Sequence, residues 1–145
     1  MSALVDDAVT IRTASTAEVD SVLAIWETSR SAAADQPDGR DDVLALLERS
    51  PEGLLVAESE GRLVGTVVAV WDGWRGSMAR LAVLPEHRRR GIARELIEAG
   101  HERLCAAGAK RVNVLIADTD AGAAELWLAL GYEHQPWIKR YKRDL

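Results

Sequence analysis

Hydrophobic positions recur along this chain with two different periods, and the changes of period mark out its elements. Val9-Thr10-Ile11-Arg12 alternates apolar with polar, which predicts a short strand with one face buried. Ser15-Thr16-Ala17-Glu18 has the spacing of a capping box, with Ser15 as N-cap. Behind it Val19, Val22, Leu23, Ile25 and Trp26 form the apolar stripe of a helix running to about Arg30. An acidic, breaker-rich loop follows from Ala34 to Gly39. Asp42 to Arg49 then predicts a second short helix on Val43, Leu44, Leu46 and Leu47.

At Gly53 the period shortens. Gly53 to Glu58 and Leu63 to Trp71 read as strands joined by the tight turn Glu60-Gly61, the second with a β-branched centre, TVVAV. Asp72 to Gly76 turns the chain again, and Ser77 to Leu84 returns, completing an antiparallel meander of three strands. Pro85 stops it. The helical period resumes from about Arg90 to Ala107, with Ile92, Leu96, Ile97, Gly100 and Leu104 on one face and Gly108 at the C-cap. Arg111 to Ile116 predicts a buried strand. Asp118-Thr119-Asp120 can cap a further helix through Leu130, ended by Gly131, and Tyr132 to Leu145 reads as a last strand with a basic end. The order is β-α-α-β-β-β-α-β-α-β, without linker or repeat. It predicts one mixed α/β (α+β) domain over residues 1–145.

Composition narrows what such a domain does. The chain has 145 residues, 48% hydrophobic and 28% charged, with a formal net charge of −5. A nucleic-acid binder usually carries a basic balance or a long basic face, so the acidic balance argues against that class. The single cysteine, Cys105, excludes an intrachain disulfide and fits a reducing cytosol. No signal-like start and no run near ~18 apolar residues is present, so a cytoplasmic protein away from the membrane is expected. Phenylalanine is absent and tryptophan occurs five times, so bulky positions fall to Trp and aliphatics.

One charged stretch stands out against that acidic background: Pro85-Glu86-His87-Arg88-Arg89-Arg90-Gly91-Ile92-Ala93. It joins a strand to the start of a long helix, where backbone N–H groups lack intrahelical partners and the macrodipole is positive. Gly91 gives an anion access to that backbone, Ala93 keeps the approach open, and the arginines can add charge-assisted bonds. The bland alternative is a solvated basic helix entrance. Neither G-x-x-x-x-G-K-[ST] nor G-x-G-x-x-G occurs.

Leu81-Ala82-Val83-Leu84-Pro85-Glu86-His87-Arg88-Arg89-Arg90-Gly91-Ile92-Ala93 resembles the GNAT superfamily of acyl-CoA-dependent N-acetyltransferases. Arg88, Gly91 and Ala93 meet its Q/R-x-x-G-x-G/A signature. A second likeness lies downstream: Asp120, Ala123, Leu126, Trp127, Gly131 and Tyr132 stand at the places of the family's N-x-x-A-x-x-L-Y-x-x-x-G-F. The resemblance implies a mostly antiparallel sheet of six to seven strands flanked by about four helices. It implies acetyl-CoA as cosubstrate, with the backbone of Arg88, Arg89, Arg90, Gly91, Ile92 and Ala93 holding its pyrophosphate. Leu81, Ala82 and Val83 would pair with the pantetheine arm, on a strand splaying from the one that begins at Arg111. The Val83 N–H would polarise the acetyl carbonyl as an oxyanion donor, and the region from Asp118 to Ala124, with Trp127, would flank the thioester. The acceptor would be an amine of a small molecule or peptide, attacking directly; neither nucleic acid nor membrane is implied, and the family's members are often dimers.

Two family features are missing. Trp127 stands where a tyrosine often protonates the leaving thiolate, and Gly76 to Ala79 lacks the glutamate that often serves as base. General acid and base are thus unassigned, with Glu27, Asp72 and His134 as candidates and Tyr132 and Tyr141 as the remaining phenols. The same gaps favour an alternative, a non-catalytic acyl-CoA-binding or sensing module. His101 and Cys105, one helical turn apart, are better suited to packing than to metal. Trp71-Asp72-Gly73-Trp74-Arg75-Gly76 is either a hairpin whose tryptophans cover the sheet or an aromatic wall beside the acceptor. Asp35, Asp38, Asp41 and Asp42 are either solvated or a cation-attracting rim.

Overall fold

The structure, a computed structural model, describes residues 8–29, 38–117 and 120–145. Its strands are Val9–Thr13 (β1), Leu54–Ser59 (β2), Arg62–Trp71 (β3), Gly76–Val83 (β4) and Val112–Val114 (β5). Its helices are Val19–Ser29 (α1), Arg40–Arg49 (α2), Ile92–Ala107 (α3) and Ala121–Ala129 (α4). The chain divides into two compact units, one ending at Leu115 and one running from Ile116 to Leu145. All five strands and α1–α3 belong to the first.

In that unit the strands lie in chain order, β1-β2-β3-β4-β5. The first four pair antiparallel and β5 adds parallel to β4. β3 lies centrally because its β-branched run, Val64, Thr66, Val67 and Val68, is buried on both faces. Adjacent strand residues point to opposite faces. Thr66 meets Trp26 of α1, whereas a Cβ on Gly65 would lie 3.1 Å from Leu96 and 3.4 Å from Ile92 of α3. α1 and α3 therefore cover opposite faces. α3 comes close because Gly100 faces the sheet: a Cβ there would collide with Met78 and lie 3.3 Å from Ala69.

The capping box forms in its reach-back half, with the Ser15 N–H donating to Glu18 Oε1 at 2.9 Å. The same carboxylate takes Arg12 through two nitrogens, at 2.8 and 2.6 Å, while Arg12 Nη2 also reaches Glu58 at 2.6 Å. Arg12 holds the Glu18 carboxyl down at about 2, below its ordinary 4.5. A carboxylate depressed in the folded state stabilises the protein above its unfolded value and loses that contribution as pH falls toward the folded one. Glu18→Gln is therefore expected to lower Tm near neutrality by roughly 2–4 °C, a discounted figure for a partly exposed pair. The gap from wild type should narrow between pH 4.5 and about 2 in thermal melts across that window.

The structure corrects three expectations. The sheet has five strands among the described residues, not six to seven. No strand forms in residues 132–145, where Trp137, Ile138 and Tyr141 are exposed and the alternation buries nothing. α3 starts at Ile92 rather than Arg90, because Arg89 (φ 64°) and Gly91 (φ 78°) are left-handed and cannot continue a right-handed helix. Its far end is as expected: Gly108, at φ 106°, donates to Cys105 O at 3.0 Å and Ala109 to Leu104 O at 2.9 Å. No helix among the described residues is long and apolar enough to cross a membrane.

Candidate active site

β4 is paired on both sides only at its beginning. Its parallel register with β5 runs Gly76↔Val112, Ser77↔Asn113, Met78↔Val114 and ends there. From Ala79 to Val83 that edge has no strand partner among the described residues. On the other side a bulge interrupts the pairing: Val68 faces Ala79 and Thr66 faces Ala82, so Arg80 and Leu81 together oppose Val67. Leu84 donates its N–H to Val64 O at 2.9 Å. Alternation along an antiparallel pair then turns the N–H and C=O of Val83 away from β3, toward the open edge.

The bulge holds a residue that needs restraint. Arg80 is left-handed, at φ 54°, a conformation that costs a side-chain-bearing residue about 1–2 kcal/mol. Its carbonyl accepts the Thr66 hydroxyl at 2.8 Å, and Thr66 Oγ1 accepts the Trp26 indole N–H at 2.8 Å. Its guanidinium reaches Asp38 at 2.8 Å and lies 5.8 Å over the Trp26 ring. Sequence reading missed Thr66 and Arg80, although for Arg80 there was a signal. Arg80 has the parity of Gly76, Met78 and Ala82, which are all buried, and a charge on an inward parity calls for a partner.

Beyond Val83 the chain makes one short 3-10 turn, Pro85–His87, and reaches α3 through the arginines. They are not equivalent. Arg88 folds back so that its Nε donates to Val83 O at 3.1 Å, tying the loop to the end of β4; Arg89 and Arg90 are exposed. Gly91 is the N-cap of α3 and no side chain caps the helix, whose first backbone bond runs from Glu95 N–H to Gly91 O at 3.0 Å. The N–H groups of Ile92, Ala93 and Arg94 precede that bond and have no helical carbonyl to meet. Among the described residues, a Cβ on Gly91 would meet none beyond its chain neighbours within 4 Å, so the space beside this N-cap is open to them. Leu81, Ala82, Val83 and the loop from Arg88 to Ala93 thus adjoin in one unit. An uncapped, dipole-positive helix end beside a free strand edge can hold a diphosphate and pair with an extended amide-bearing chain.

Asp120, Ala123 and Trp127 lie in the second unit. Asp120 caps α4, its Oδ1 accepting the Ala123 N–H at 3.0 Å. Trp127 is buried and packs edge-on against Tyr132, with ring centres 4.8 Å apart. Burial pushes the Tyr132 phenol up to about 12, so it stays protonated through the physiological range. Asp118, expected beside the thioester, and Asp35 of the acidic loop lie outside the described residues.

The other candidates take mostly structural places. Asp38 is bound by Arg80 and Asp42 accepts the Gly39 N–H at 2.9 Å, so only Asp41 of the described acids is left for a cation-attracting rim. Asp72 Oδ1 accepts the N–H groups of Arg75 (2.6 Å) and Trp74 (2.7 Å), which hold its carboxyl below the ordinary carboxylate value. That makes it a poor base. Trp74 does not cover the sheet: it is 74% exposed, with the Arg75 guanidinium 4.3 Å above its ring. Trp71 instead lines a shallow recess of about 240 Å³ with Asp72, Arg75, Ser77 and Asn113. Glu27 and His134 are exposed, as is Cys105, while burial lowers the pKa of His101.

Comparison with known proteins bears on this geometry. The model of the acetyltransferase (GNAT) family matches residues 19–132. An acetyltransferase of Yersinia pestis (strain Pestoides F) is 36% identical over 106 residues, covering 73% of this chain and 75% of that protein. One from Yersinia enterocolitica serotype O:8 is 32% identical over 133 residues, covering 92% and 94%. Among solved structures, a putative acetyltransferase from Salmonella typhimurium, determined with its cofactor acetyl-CoA, superposes with a TM-score of 0.75 at 24% identity, over 87% of this chain and 80% of that one.

Proposed function

Because this chain belongs to the acetyltransferase (GNAT) family, we propose that it moves an acetyl group from acetyl-CoA to a primary amine of a small molecule or peptide by direct attack. One observation carries this reading: the uncapped start of α3 adjoins the unpaired edge of β4. The backbone of Arg88, Arg89, Arg90, Gly91, Ile92 and Ala93 takes the pyrophosphate, with the arginines adding charge. Leu81, Ala82 and Val83 pair their backbone with the pantetheine arm. The Val83 N–H polarises the acetyl carbonyl, and that of Leu81, one pleat further from α3, completes the donor edge. The family's second motif makes Asp120, Ala123 and Trp127 further candidates for holding acetyl-CoA.

The reaction asks little more of the chain. The amine lone pair attacks the thioester carbon, the C–S bond breaks, and coenzyme A leaves as a thiolate. A thiolate leaves readily, and an indole is no acid near neutral pH, so Trp127 is not the proton donor and water supplies and takes the protons. The free thiol of Cys105 fits a cytoplasmic enzyme.

Calorimetry with acetyl-CoA, followed by thiol release across polyamines, amino acids, aminoglycosides and peptide N-termini, tests this. Saturable binding with turnover of one class is the expected result. Binding with silence across the panel favours the sensing module, which the absence of a carboxylate base on β4 would explain. No binding sinks the reading.

A further inference from the structure

The reading of β4 as the edge that receives acetyl-CoA raises a further question: what keeps its bulge in shape. On that reading, we propose that Thr66 and Trp26 are positioning residues, which aim the Leu81 N–H by holding the carbonyl of the preceding peptide. Trp26 Nε1 donates to Thr66 Oγ1, and the same hydroxyl donates onward to Arg80 O, both at 2.8 Å. Thr66 is fully buried and its bond with Trp26 is buried, while its bond to the half-buried Arg80 is part-buried. With the indole donating to the oxygen, the hydroxyl proton has one destination.

Peptide geometry carries the effect across the strand. The described peptide bonds are all trans. In a trans peptide C=O and N–H point in opposite directions. Holding the Arg80 carbonyl on Thr66, toward β3 and α1, therefore turns the Leu81 N–H away from both. That is the side on which β4 has no strand partner among the described residues, and the side to which Val83 also turns its N–H. Without the hydroxyl bond, the left-handed Arg80 loses a restraint that a strained residue requires, and the peptide is free to rotate. α1 thus reaches the open edge of β4 through one buried hydroxyl.

The test uses the full chain and acetyl-CoA labelled with carbon-13 at the thioester carbonyl, read by isotope-edited infrared spectroscopy. Bound to the wild type, the carbonyl band should fall to lower frequency than in water. Thr66→Val, which keeps shape and burial but removes the hydroxyl, should lose much of that shift. Thr66→Ser should restore it, and Trp26→Phe should lie between. With the best amine of the panel, kcat of Thr66→Val should drop roughly 10-fold, less than the loss of a whole oxyanion donor, with KM for acetyl-CoA unchanged. If Thr66→Val does not fold, the serine and phenylalanine variants decide by the same band. Equal shifted bands in all variants overturn this proposal alone, and an unshifted wild-type band overturns it together with the assignment of Val83 as oxyanion donor. Failure of the wild type to bind acetyl-CoA overturns the acetyltransfer reading and takes this proposal with it.

Discussion

A chain carrying Gly91→Val is expected to bind acetyl-CoA at least about 100-fold more weakly than wild type, because two charge-assisted hydrogen bonds of ~1.5–3 kcal/mol each are displaced. The fold should survive. Among the described residues, none beyond its chain neighbours lies within 4 Å of a Cβ at this position. The free protein suffers only the strain of a side chain at φ 78°, on the order of 1–2 kcal/mol. The added methyls fill space that only a ligand at the helix start would need. Calorimetry checks the affinity, and a thermal melt of the unliganded variant separates lost binding from lost structure. The arginines offer a contrast. Arg89→Ala removes an exposed charge, so its effect should be smaller and fade as salt rises, whereas a steric block at Gly91 is indifferent to salt. Equal affinity in wild type and Gly91→Val would remove the anion from the start of α3.

The largest expected loss of stability comes from Leu96→Ala. Leu96 is fully buried on α3, and its Cδ1 fills the space left by the missing side chain of Gly65. Truncation leaves a cavity against a central strand that cannot collapse without moving backbone, which costs about 2–5 kcal/mol. Tm should fall on the order of 10 °C. Leu96 also sits little more than one turn from Gly91, so looser packing there loosens the N–H groups at the head of the helix. Calorimetry at a temperature where the variant remains folded should therefore show weaker acetyl-CoA binding as well. A variant with wild-type Tm would mean that α3 is not seated on β3 as described.

Much of this architecture was legible because it depends on local period. The stripe Val19-Val22-Ile25-Trp26 and the face Ile92-Leu96-Ile97-Gly100-Leu104 are helical at any distance from the sheet they cover. That a helix starts in this stretch was legible as well, although its first residue, Ile92, falls two positions after the expected Arg90. The bulge in β4 was not. A period of two does not announce an extra residue, and Arg80 and Leu81 read as two ordinary strand positions until pairing with β3 counts them against Val67. Trp26 was read as apolar core, which its burial supports, but its indole N–H bond to Thr66 spans 40 positions of sequence and leaves no local trace. The tail misled for the opposite reason: its mixture of aromatic and basic residues imitates a strand without offering a face that gets buried.

The order of strands in the sheet, identical to their order in the chain, has a bearing on how the protein forms. Each new strand joins the edge left by the one before, and none is inserted between two that are already paired. β2, β3 and β4 are linked by tight turns, so their pairing closes short loops at little entropic cost. A nascent chain can therefore lay down its sheet from one side to the other as it emerges. β5 comes last of the five, only after α3 has been made and has crossed back over the face.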